Sequence, residues 1–469
     1  MRIILLVAGV ILSQLSFSQV LKNTLTSAIS ILKLDPQFKH ASISMYVIDS
    51  KNGKVIFENN PELGLAPASA QKIITSVSAF EILGKEYTYK TIISGDLAIR
   101  NNILDGNLHV SGSGDPTLGS WRWASTKEDI VLMKILKILK DNEIKQVTGG
   151  IYINDLKFPY PPIPDGWVWQ DIGNYYGAGA WALNWHENQY DLHLRSGENI
   201  GILTQVVSTS PVDLADSIHN YITSAKKGTG DNAYLYAAPY DLRVYATGTI
   251  PAGEKDFVIS GSIPNPPEVF AKKIFTLLRN NKISINNTVY YYREKWLTGE
   301  SLSKPAINFG MIISPSLDSI NYWFLKKSVN LYGEALVKTI AGEKGKEAST
   351  TNGIEIIRNF WNKNGIERSA LNMIDGSGLS PANRITSKSL VQILEYAKNK
   401  KWFASFYNAL PEINGIKMKD GYIGGVRSYT GYIKNKSGQE YTFAFIVNNF
   451  DGSAGSVREK MWKVLDLLK

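Results

Sequence analysis

A serine and a lysine three positions apart, Ser69 and Lys72, could form a nucleophile and its base. On a helix, residues i and i+3 lie on one face, so the hydroxyl and the amine can come within hydrogen-bond distance. A serine hydroxyl is a poor nucleophile until a base takes its proton, and a partly buried lysine can act as that base because desolvation lowers its pKa. Backbone N–H groups at a helix start also suit a developing oxyanion. The pair therefore predicts serine acyl-transfer chemistry.

The surroundings of this pair are more informative than its spacing. Pro67 suits a helix start, and apolar residues follow Lys72 at helical spacing, so the chain predicts a helix that buries the lysine. The same spacing occurs elsewhere, where a surface coincidence is the simpler interpretation. Those other copies begin at Ser30, Ser224 and Ser301.

Two later patterns could add polar groups to such a site. Ser328-Val329-Asn330 places a hydroxyl two residues before an amide, although a helix cap would use the same residue types and the pattern also begins at Ser284 and Ser319. Lys419-Asp420-Gly421 places an ammonium beside a carboxylate, just before a predicted hairpin, and a plain turn is its alternative. The three patterns in this order are more informative together than each is alone.

The elements that must position these residues divide into two kinds. Residues 41–58 and 429–448 read as hairpins. Residues 454–468 read as an amphipathic helix, which could lie on a membrane but more commonly packs on a sheet. From about 91 to 286, strand-like pieces, Gly and Pro recur, and 129–140 is the clearest helical pattern. Further helices are predicted at 319–327, 331–340, 353–361 and 387–397.

This order predicts a discontinuous domain of the α/β (α+β) class. The first and last segments share hairpins and packed helices, whereas the middle block is mostly β and forms one or two small inserted domains. The predicted bounds are 19–96 and 297–469 for the discontinuous domain and 97–296 for the insertion.

The N-terminus predicts export. Arg2 precedes an apolar run over residues 3–12, and the small residues Ser16 and Ser18 suit cleavage after Ser18. Because the run is shorter than the roughly 20 residues of a membrane span, a cleaved signal peptide over 1–18 is favoured over a short membrane anchor. The expected location is secretion across the inner membrane into the periplasm, with at most peripheral membrane contact.

Composition excludes several other kinds of chemistry. The chain has no Cys, so thiol catalysis and disulfides are excluded, and its five His residues show no metal-ligand spacing. No G-x-S-x-G elbow supports a Ser-His-Asp triad. The net charge of +9 is spread out, which indicates a solvated basic surface, and a nucleic-acid partner does not fit the export signal.

Taken with these motifs, the sequence resembles the class C low-molecular-mass penicillin-binding proteins, the D-alanyl-D-alanine carboxypeptidase/endopeptidase family. The order S-x-x-K, S-x-N and K-x-G is similar to the signature of penicillin-binding proteins and serine β-lactamases. The long gap between Ser69 and Ser328 fits this class, whose insertion follows the nucleophile helix. Similar stretches lie at residues 67–72, 114–118, 171–178, 182–184, 375–380 and 383–384.

The resemblance implies a β-lactamase/DD-peptidase-like domain, with an antiparallel sheet flanked by helices. It implies peptidoglycan stem peptides as substrate, β-lactam antibiotics as covalent inhibitors, and neither a metal nor an organic cofactor. Ser69 would attack the D-Ala-D-Ala bond and form an acyl-enzyme, Lys72 would be the general base, and Ser328 would relay a proton to the leaving amine.

The resemblance also implies the residues that bind the substrate. Asn330 would hold the substrate amide, and Lys419 would supply positive potential to the substrate carboxylate and to Ser328. The backbone N–H groups of Ser69 and Tyr422 would form the oxyanion hole. The predicted substrate-binding residues are therefore Asn330, Lys419, Asp420, Gly421 and Tyr422.

One residue departs from the family pattern. The family has Thr at the position of Asp420, where its hydroxyl helps to bind the terminal carboxylate of the substrate. Two like charges ~4 Å apart at an effective dielectric constant of ~20 repel by about 4 kcal/mol. Either the carboxylate is turned away or neutralised, with Arg427 as a candidate partner, or the substrate preference has moved. The hypothesis is that Asp420 favours endopeptidase over carboxypeptidase activity.

Two alternatives use the same scaffold. A serine β-lactamase has the same three motifs, but the large insertion and the lack of a recognisable deacylation element argue against it. A non-catalytic wall-binding protein would explain Asp420, but the intact Ser69, Lys72, Ser328 and Asn330 argue against that alternative.

Overall fold

The computed structural model describes residues 19–469, so the predicted signal peptide lies outside the described residues. The chain divides into two compact units. Within the described residues, the first unit comprises 19–82, 321–328 and 354–469, and the second comprises 83–320 and 329–353. These units follow packing, and the predicted insertion bounds of 97 and 296 stay a prediction.

Helices and strands occur along the whole described chain. Residues 19–34 are helical and are called α1. The further helices are α2 Lys72–Leu83, α3 Glu128–Asp141, α4 Trp169–Ile172, α5 Pro266–Asn280, α6 Tyr292–Thr298, α7 Leu317–Lys326, α8 Asn330–Glu343, α9 Thr350–Lys363, α10 Ser387–Lys398, α11 Phe403–Ala409 and α12 Ala454–Asp466. Over residues 19–469, none of the helices combines the length and the hydropathy that crossing a membrane requires.

The strands are β1 Ser42–Asp49, β2 Val55–Asn59, β3 Lys90–Gly95, β4 Ile99–Arg100, β5 Ile103–Leu104, β6 Leu108–Ser111, β7 Gln146–Val147, β8 Ile151–Asn154, β9 Gln189–Arg195, β10 Gln205–Ser210, β11 Ile218–Asn220, β12 Thr223–Ala225, β13 Asn232–Tyr236, β14 Val244–Pro251, β15 Phe257–Ser262, β16 Val289–Tyr291, β17 Ile307–Ile313, β18 Leu371–Asn372, β19 Arg384–Ile385, β20 Glu412–Ile413, β21 Ile416–Ile423, β22 Val426–Lys434 and β23 Glu440–Asn448.

The first unit is built on an antiparallel sheet of order β2-β1-β23-β22-β21-β20. Successive side chains of a strand point to opposite faces, and the packing follows this alternation. Met45 and Val47 of β1 lie in one core with residues of α1 and α12, whereas Ser44 donates a hydrogen bond to Ser387 of α10. The predicted antiparallel sheet flanked by helices is therefore confirmed.

The core beneath α12 explains why the C-terminal helix stays on the sheet. Its apolar positions recur three and four residues apart, and burying them stabilises the unit by roughly 25 cal/mol for each Å² removed from water. The buried residues of α12 in this core are Val457, Met461, Val464 and Leu465.

The second unit contains several smaller sheets and two hydrophobic cores. A mixed sheet of order β16-β8-β6-β3-β17 packs with α3 and α5, and β9, β14 and β15 contribute to the other core. The helix α5 was not among the predicted helices, although its Pro266 start and its buried Phe270, Ile274 and Leu278 give a helical pattern. The frequent Gly and Pro of this block concealed that signal.

Candidate active site

The predicted nucleophile, Ser69, lies in a tight turn that leads into α2. Ser69 belongs to a short 3-10 turn, Ala68–Gln71, and Lys72 is the first residue of α2. Ala68 has a φ of 45°, a left-handed conformation that is strained for a residue with a Cβ. The prediction that Ser69 opens a helix is thus refined, because a 3-10 turn precedes the α-helix.

Ser69 and Lys72 are joined as their spacing predicts. The Lys72 Nζ atom donates to the Ser69 Oγ atom at 2.9 Å, and Lys72 is completely buried while Ser69 is half-buried. The ammonium also lies 5.9 Å from the ring centroid of Phe324. A buried amine in contact with a partly accessible hydroxyl is the arrangement that general-base activation of a serine requires.

A loop that is distant in sequence holds the lysine in place. The Ser377 carbonyl accepts a hydrogen bond from the Lys72 Nζ atom at 2.8 Å, and the Gly376 carbonyl accepts one from the Thr75 hydroxyl at 2.6 Å. Gly378 has a φ of 84°, and a Cβ added there would meet the Ala68 carbonyl oxygen at 2.0 Å. The loop therefore contacts both the base and the turn that carries the nucleophile.

The carboxylate of Asp375 organises this loop. It is fully buried and accepts hydrogen bonds from the backbone N–H groups of Gly378, at 2.7 Å, and Ser380, at 2.6 Å. It also accepts one from the Asn383 amide, and the Gln71 amide donates to both its carboxylate and its carbonyl. A buried charge is tolerated when it is satisfied in this way.

Strand β21 forms another wall of the site. A Cβ added at Gly421 would lie 2.4 Å from the Pro67 carbonyl oxygen and 2.9 Å from the Ser69 nitrogen, so only glycine allows the strand this close to the turn. The Ser428 hydroxyl on β22 donates a hydrogen bond to the same Pro67 carbonyl. The predicted residues Lys419, Asp420 and Gly421 thus lie within a strand and not in a turn, which corrects that alternative.

Lys419 and Asp420 form an ion pair with each other. The Lys419 Nζ atom donates to the Asp420 carboxylate at 2.9 Å and to the Asp420 carbonyl at 2.8 Å. The Lys419 side chain is 1% exposed, whereas that of Asp420 is 37% exposed. The charge of the lysine is therefore balanced inside the same strand.

The charge state of Asp420 follows from its neighbours. Burial raises its pKa, but the ammonium of Lys419 and, to a smaller degree, the guanidinium of Arg427 outweigh burial, so the pKa of Asp420 is lowered from 3.8. Arg427 itself lies over the ring of Tyr422, with its guanidinium carbon 4.7 Å from the ring centroid. The predicted neutralisation of Asp420 thus comes mainly from Lys419.

Ser328 belongs to the first unit and Asn330 to the second. Ser328 follows α7, is half-buried and has a φ of 57°. Among the described residues it makes no hydrogen bond with Lys419, whose ammonium is engaged by Asp420. In the second unit, Asn330 opens α8 and its amide donates to the Tyr176 carbonyl at 2.8 Å.

The second unit holds another buried lysine, in a different setting. Burial lowers the pKa of Lys338 to about 7. Its ammonium donates to the carbonyls of Pro162, at 3.1 Å, and Ala180, at 3.0 Å, and lies 5.6 Å from the Phe158 ring centroid. These partners are backbone acceptors and not a hydroxyl nucleophile, so this lysine holds loops together.

Residues that position Lys72 were not identified from the sequence. Gln71, Thr75 and Asp375 are completely buried and link α2 to the loop that begins at Asp375. A buried Gln and Thr next to a predicted catalytic lysine were the available signal, because such side chains need partners. Those partners belong to the stretch 375–380, which the family resemblance identifies but which nothing in the sequence links to Lys72.

The chain is similar to known D-Ala-D-Ala carboxypeptidases over most of its length. Residues 25–416 match the D-Ala-D-Ala carboxypeptidase 3 (S13) family. The D-alanyl-D-alanine carboxypeptidase DacB of Haemophilus influenzae is 24% identical over 427 residues, covering 87% of this chain and 85% of that protein. A D-alanyl-D-alanine carboxypeptidase of Actinomadura sp. is 23% identical over 451 residues, covering 90% of this chain and 80% of that protein.

Solved structures show the same fold. The crystal structure of penicillin binding protein 4 from Haemophilus influenzae aligns with a TM-score of 0.75 at 22% identity, covering 88% of this chain and 91% of that one. The same protein complexed with a β-lactam aligns with a TM-score of 0.69. The predicted β-lactamase/DD-peptidase-like fold is confirmed.

Proposed function

Since this chain belongs to the D-Ala-D-Ala carboxypeptidase 3 (S13) family, we propose that it is a serine-type D-Ala-D-Ala carboxypeptidase/endopeptidase that acts through an acyl-enzyme on Ser69. Its substrates are peptidoglycan stem peptides. Relatives over most of the chain carry the name D-alanyl-D-alanine carboxypeptidase, which supports this substrate class.

The observation that carries the proposal is the 2.9 Å hydrogen bond between the Lys72 amine and the Ser69 hydroxyl. In its neutral form, Lys72 takes the hydroxyl proton as the Ser69 oxygen attacks the carbonyl of the penultimate D-Ala. The C–N bond then breaks, and the proton goes to the leaving amine through Ser328. Water attacks the ester, one of its protons returns through Lys72 to Ser69 and the other is released to solvent, and the shortened peptide leaves as a carboxylate.

The turn and β21 supply the surroundings of the reacting carbonyl. The close approach of Gly421 to the Ser69 nitrogen brings the start of the turn next to β21, so the backbone N–H groups of Ser69 and Tyr422 are the proposed oxyanion donors. Asn330 is proposed to hold the substrate amide. These assignments complete the set of residues that the family resemblance implies.

The same chemistry applies to β-lactam antibiotics, which would acylate Ser69 and remain bound. A Haemophilus influenzae relative of the same fold was solved in complex with a β-lactam, which supports this expectation. The small residues Ser16 and Ser18 after an apolar run support export, so the proposed location is the periplasm, with at most peripheral membrane contact.

Release of D-alanine tests the proposal. Purified protein of residues 19–469 is incubated with an Nα-acyl-L-Lys-D-Ala-D-Ala peptide. The wild type is compared with the Ser69→Ala and Ser30→Ala variants. Ser30 has the same spacing to a lysine but is exposed, so Ser30→Ala is the matched control. Release by wild type and Ser30→Ala, and none by Ser69→Ala, is expected. The non-catalytic alternative would be favoured if the wild type binds cell wall but releases neither D-alanine from this peptide nor D-alaninamide from its C-terminal amide.

A further inference from the structure

The third motif of this chain carries its own counter-ion. Lys419 is almost completely buried, and its ammonium donates to both the carboxylate and the carbonyl of Asp420. An ammonium has three donors, so two of them are occupied within the strand. The positive charge that the family pattern offers to a substrate carboxylate is balanced here before any substrate arrives.

This ion pair belongs to β21, the strand that passes the turn carrying Ser69. Gly421 directly follows Asp420, and its Cα is so close to the turn that an added Cβ would lie 2.9 Å from the Ser69 nitrogen. The Asp420 side chain is 37% exposed, so its carboxylate is accessible to a group approaching along β21. A ligand at this position therefore meets a balanced pair whose accessible partner is negative.

Resting on the proposed function, we infer that Asp420 selects substrates in which the leaving amine carries no neighbouring free carboxylate. Such substrates are amides of D-alanine with a side-chain amine, as in a peptide cross-link, or with an amine whose carboxyl group is amidated. A carboxylate at this position would be repelled by Asp420 and would compete with it for Lys419. A neutral amide avoids both effects and can accept the remaining Lys419 donor.

Arg427 is the other cation near Asp420, so its contribution has to be distinguished from that of Lys419. Its charge contributes less than that of Lys419 to lowering the pKa of Asp420. Its guanidinium stacks on the exposed ring of Tyr422, which faces Arg427 across the β21–β22 pairing. The inference therefore assigns the selectivity to the pair of Lys419 and Asp420.

A matched pair of peptides tests the inference. Nα-acyl-L-Lys-D-Ala-D-Ala is compared as the free acid and as the C-terminal carboxamide, with kcat/KM measured for wild type, Asp420→Thr, Asp420→Asn and Arg427→Gln. Wild type is expected to prefer the amide. Asp420→Thr and Asp420→Asn should each move the acid-to-amide ratio at least about 10-fold towards the acid, because single charge contacts typically contribute this much. Asp420→Asn keeps the size of the side chain and controls for shape.

The outcomes separate this inference from the proposed function. Cleavage of both peptides with an equal ratio in wild type and both Asp420 variants overturns the inference alone. The inference is also overturned if Arg427→Gln is the only variant that changes cleavage of the free-acid peptide, by abolishing it. Arg427 would then be the residue that binds the carboxylate. If no variant cleaves either peptide and penicillin does not label Ser69, the proposed function fails, and the inference fails with it.

Discussion

At the scale of the residue, the position of the Lys72 amine depends on a carboxylate that organises the loop around it. Asp375 fixes its own loop through backbone N–H groups, and the Ser377 carbonyl of that loop accepts the hydrogen bond of Lys72. The spacing of Ser69 and Lys72 predicted their contact correctly, because i and i+3 contacts are local. The sequence could not predict the role of Asp375, because the lysine that its loop holds lies 305 positions away from Ser377 in the chain.

Asp375→Asn tests this positioning role. An amide in place of the carboxylate presents N–H groups to donors, and losing hydrogen bonds to a buried charge costs about 2–3 kcal/mol. We expect penicillin acylation to slow by about 10-fold or more, because small displacements of a base are costly. Stopped-flow labelling measures this rate.

Asp451→Asn is the control for that variant, because its carboxylate is exposed and accepts a bond from Gly452. Acylation of Asp375→Asn at the rate of Asp451→Asn would show that the loop does not position Lys72.

A prediction about pH follows from the lowered pKa of Asp420. A carboxyl group with a pKa below 3.8 in the folded state stays charged above that value, so its ion pair with Lys419 is lost only as the pH falls through the lowered pKa. The preference for amide over acid peptides should therefore be constant between about pH 5.5 and 8, where such a group does not titrate. The measurement is the ratio of kcat/KM for the amide and acid peptides across this pH range. A change of this ratio with pH in wild type that is absent in Asp420→Asn would contradict the prediction.

At the scale of the element, two segments pack so closely against the turn that carries Ser69 that each has glycine at the point of contact. Strand β21 approaches at Gly421, and the loop after Asp375 approaches at Gly378. The sequence predicted the helix after Lys72 and the C-terminal hairpin, but Lys419 lay just before the predicted hairpin and so outside the predicted sheet. The residues around Lys419 do not alternate clearly between apolar and polar, so the sequence alone does not reveal a strand there or its contact with the distant turn.

Gly378→Ala tests the close contact of the loop with the turn. The new Cβ would meet the Ala68 carbonyl oxygen at 2.0 Å, so either the turn or the loop must move. We expect penicillin acylation to slow by about 100-fold, as for other small displacements of reacting groups. The rate of acyl-enzyme formation is the measurement.

Gly365→Ala is its matched control. Gly365 has the same φ of 84°, but a Cβ there would meet nothing within 4 Å. It therefore carries the same backbone strain, about 1–2 kcal/mol, without the contact. Equal acylation rates of the two variants would show that strain, and not the contact with Ala68, matters at Gly378.

At the scale of the whole molecule, the order of patterns predicted more than each pattern did alone. The two terminal hairpins do share one sheet in the structure, because β1 pairs with β23. The sequence missed α5, because the frequent Gly and Pro around it suggested strands and turns. It also missed α1, which packs into the same core as α12. Burial of both helices depends on partners that are far away in the sequence.

The most direct test of the central claim is to map the acyl group that penicillin leaves on the protein of residues 19–469. Mass spectrometry of proteolytic peptides is compared for wild type, Ser69→Ala and Lys72→Met. We predict one penicilloyl group on Ser69 in wild type and none in Ser69→Ala. Acylation of Lys72→Met should be slower by about 100- to 10,000-fold, as expected when a general base is removed. An acyl group on another residue, or an unchanged rate in Lys72→Met, would contradict the account.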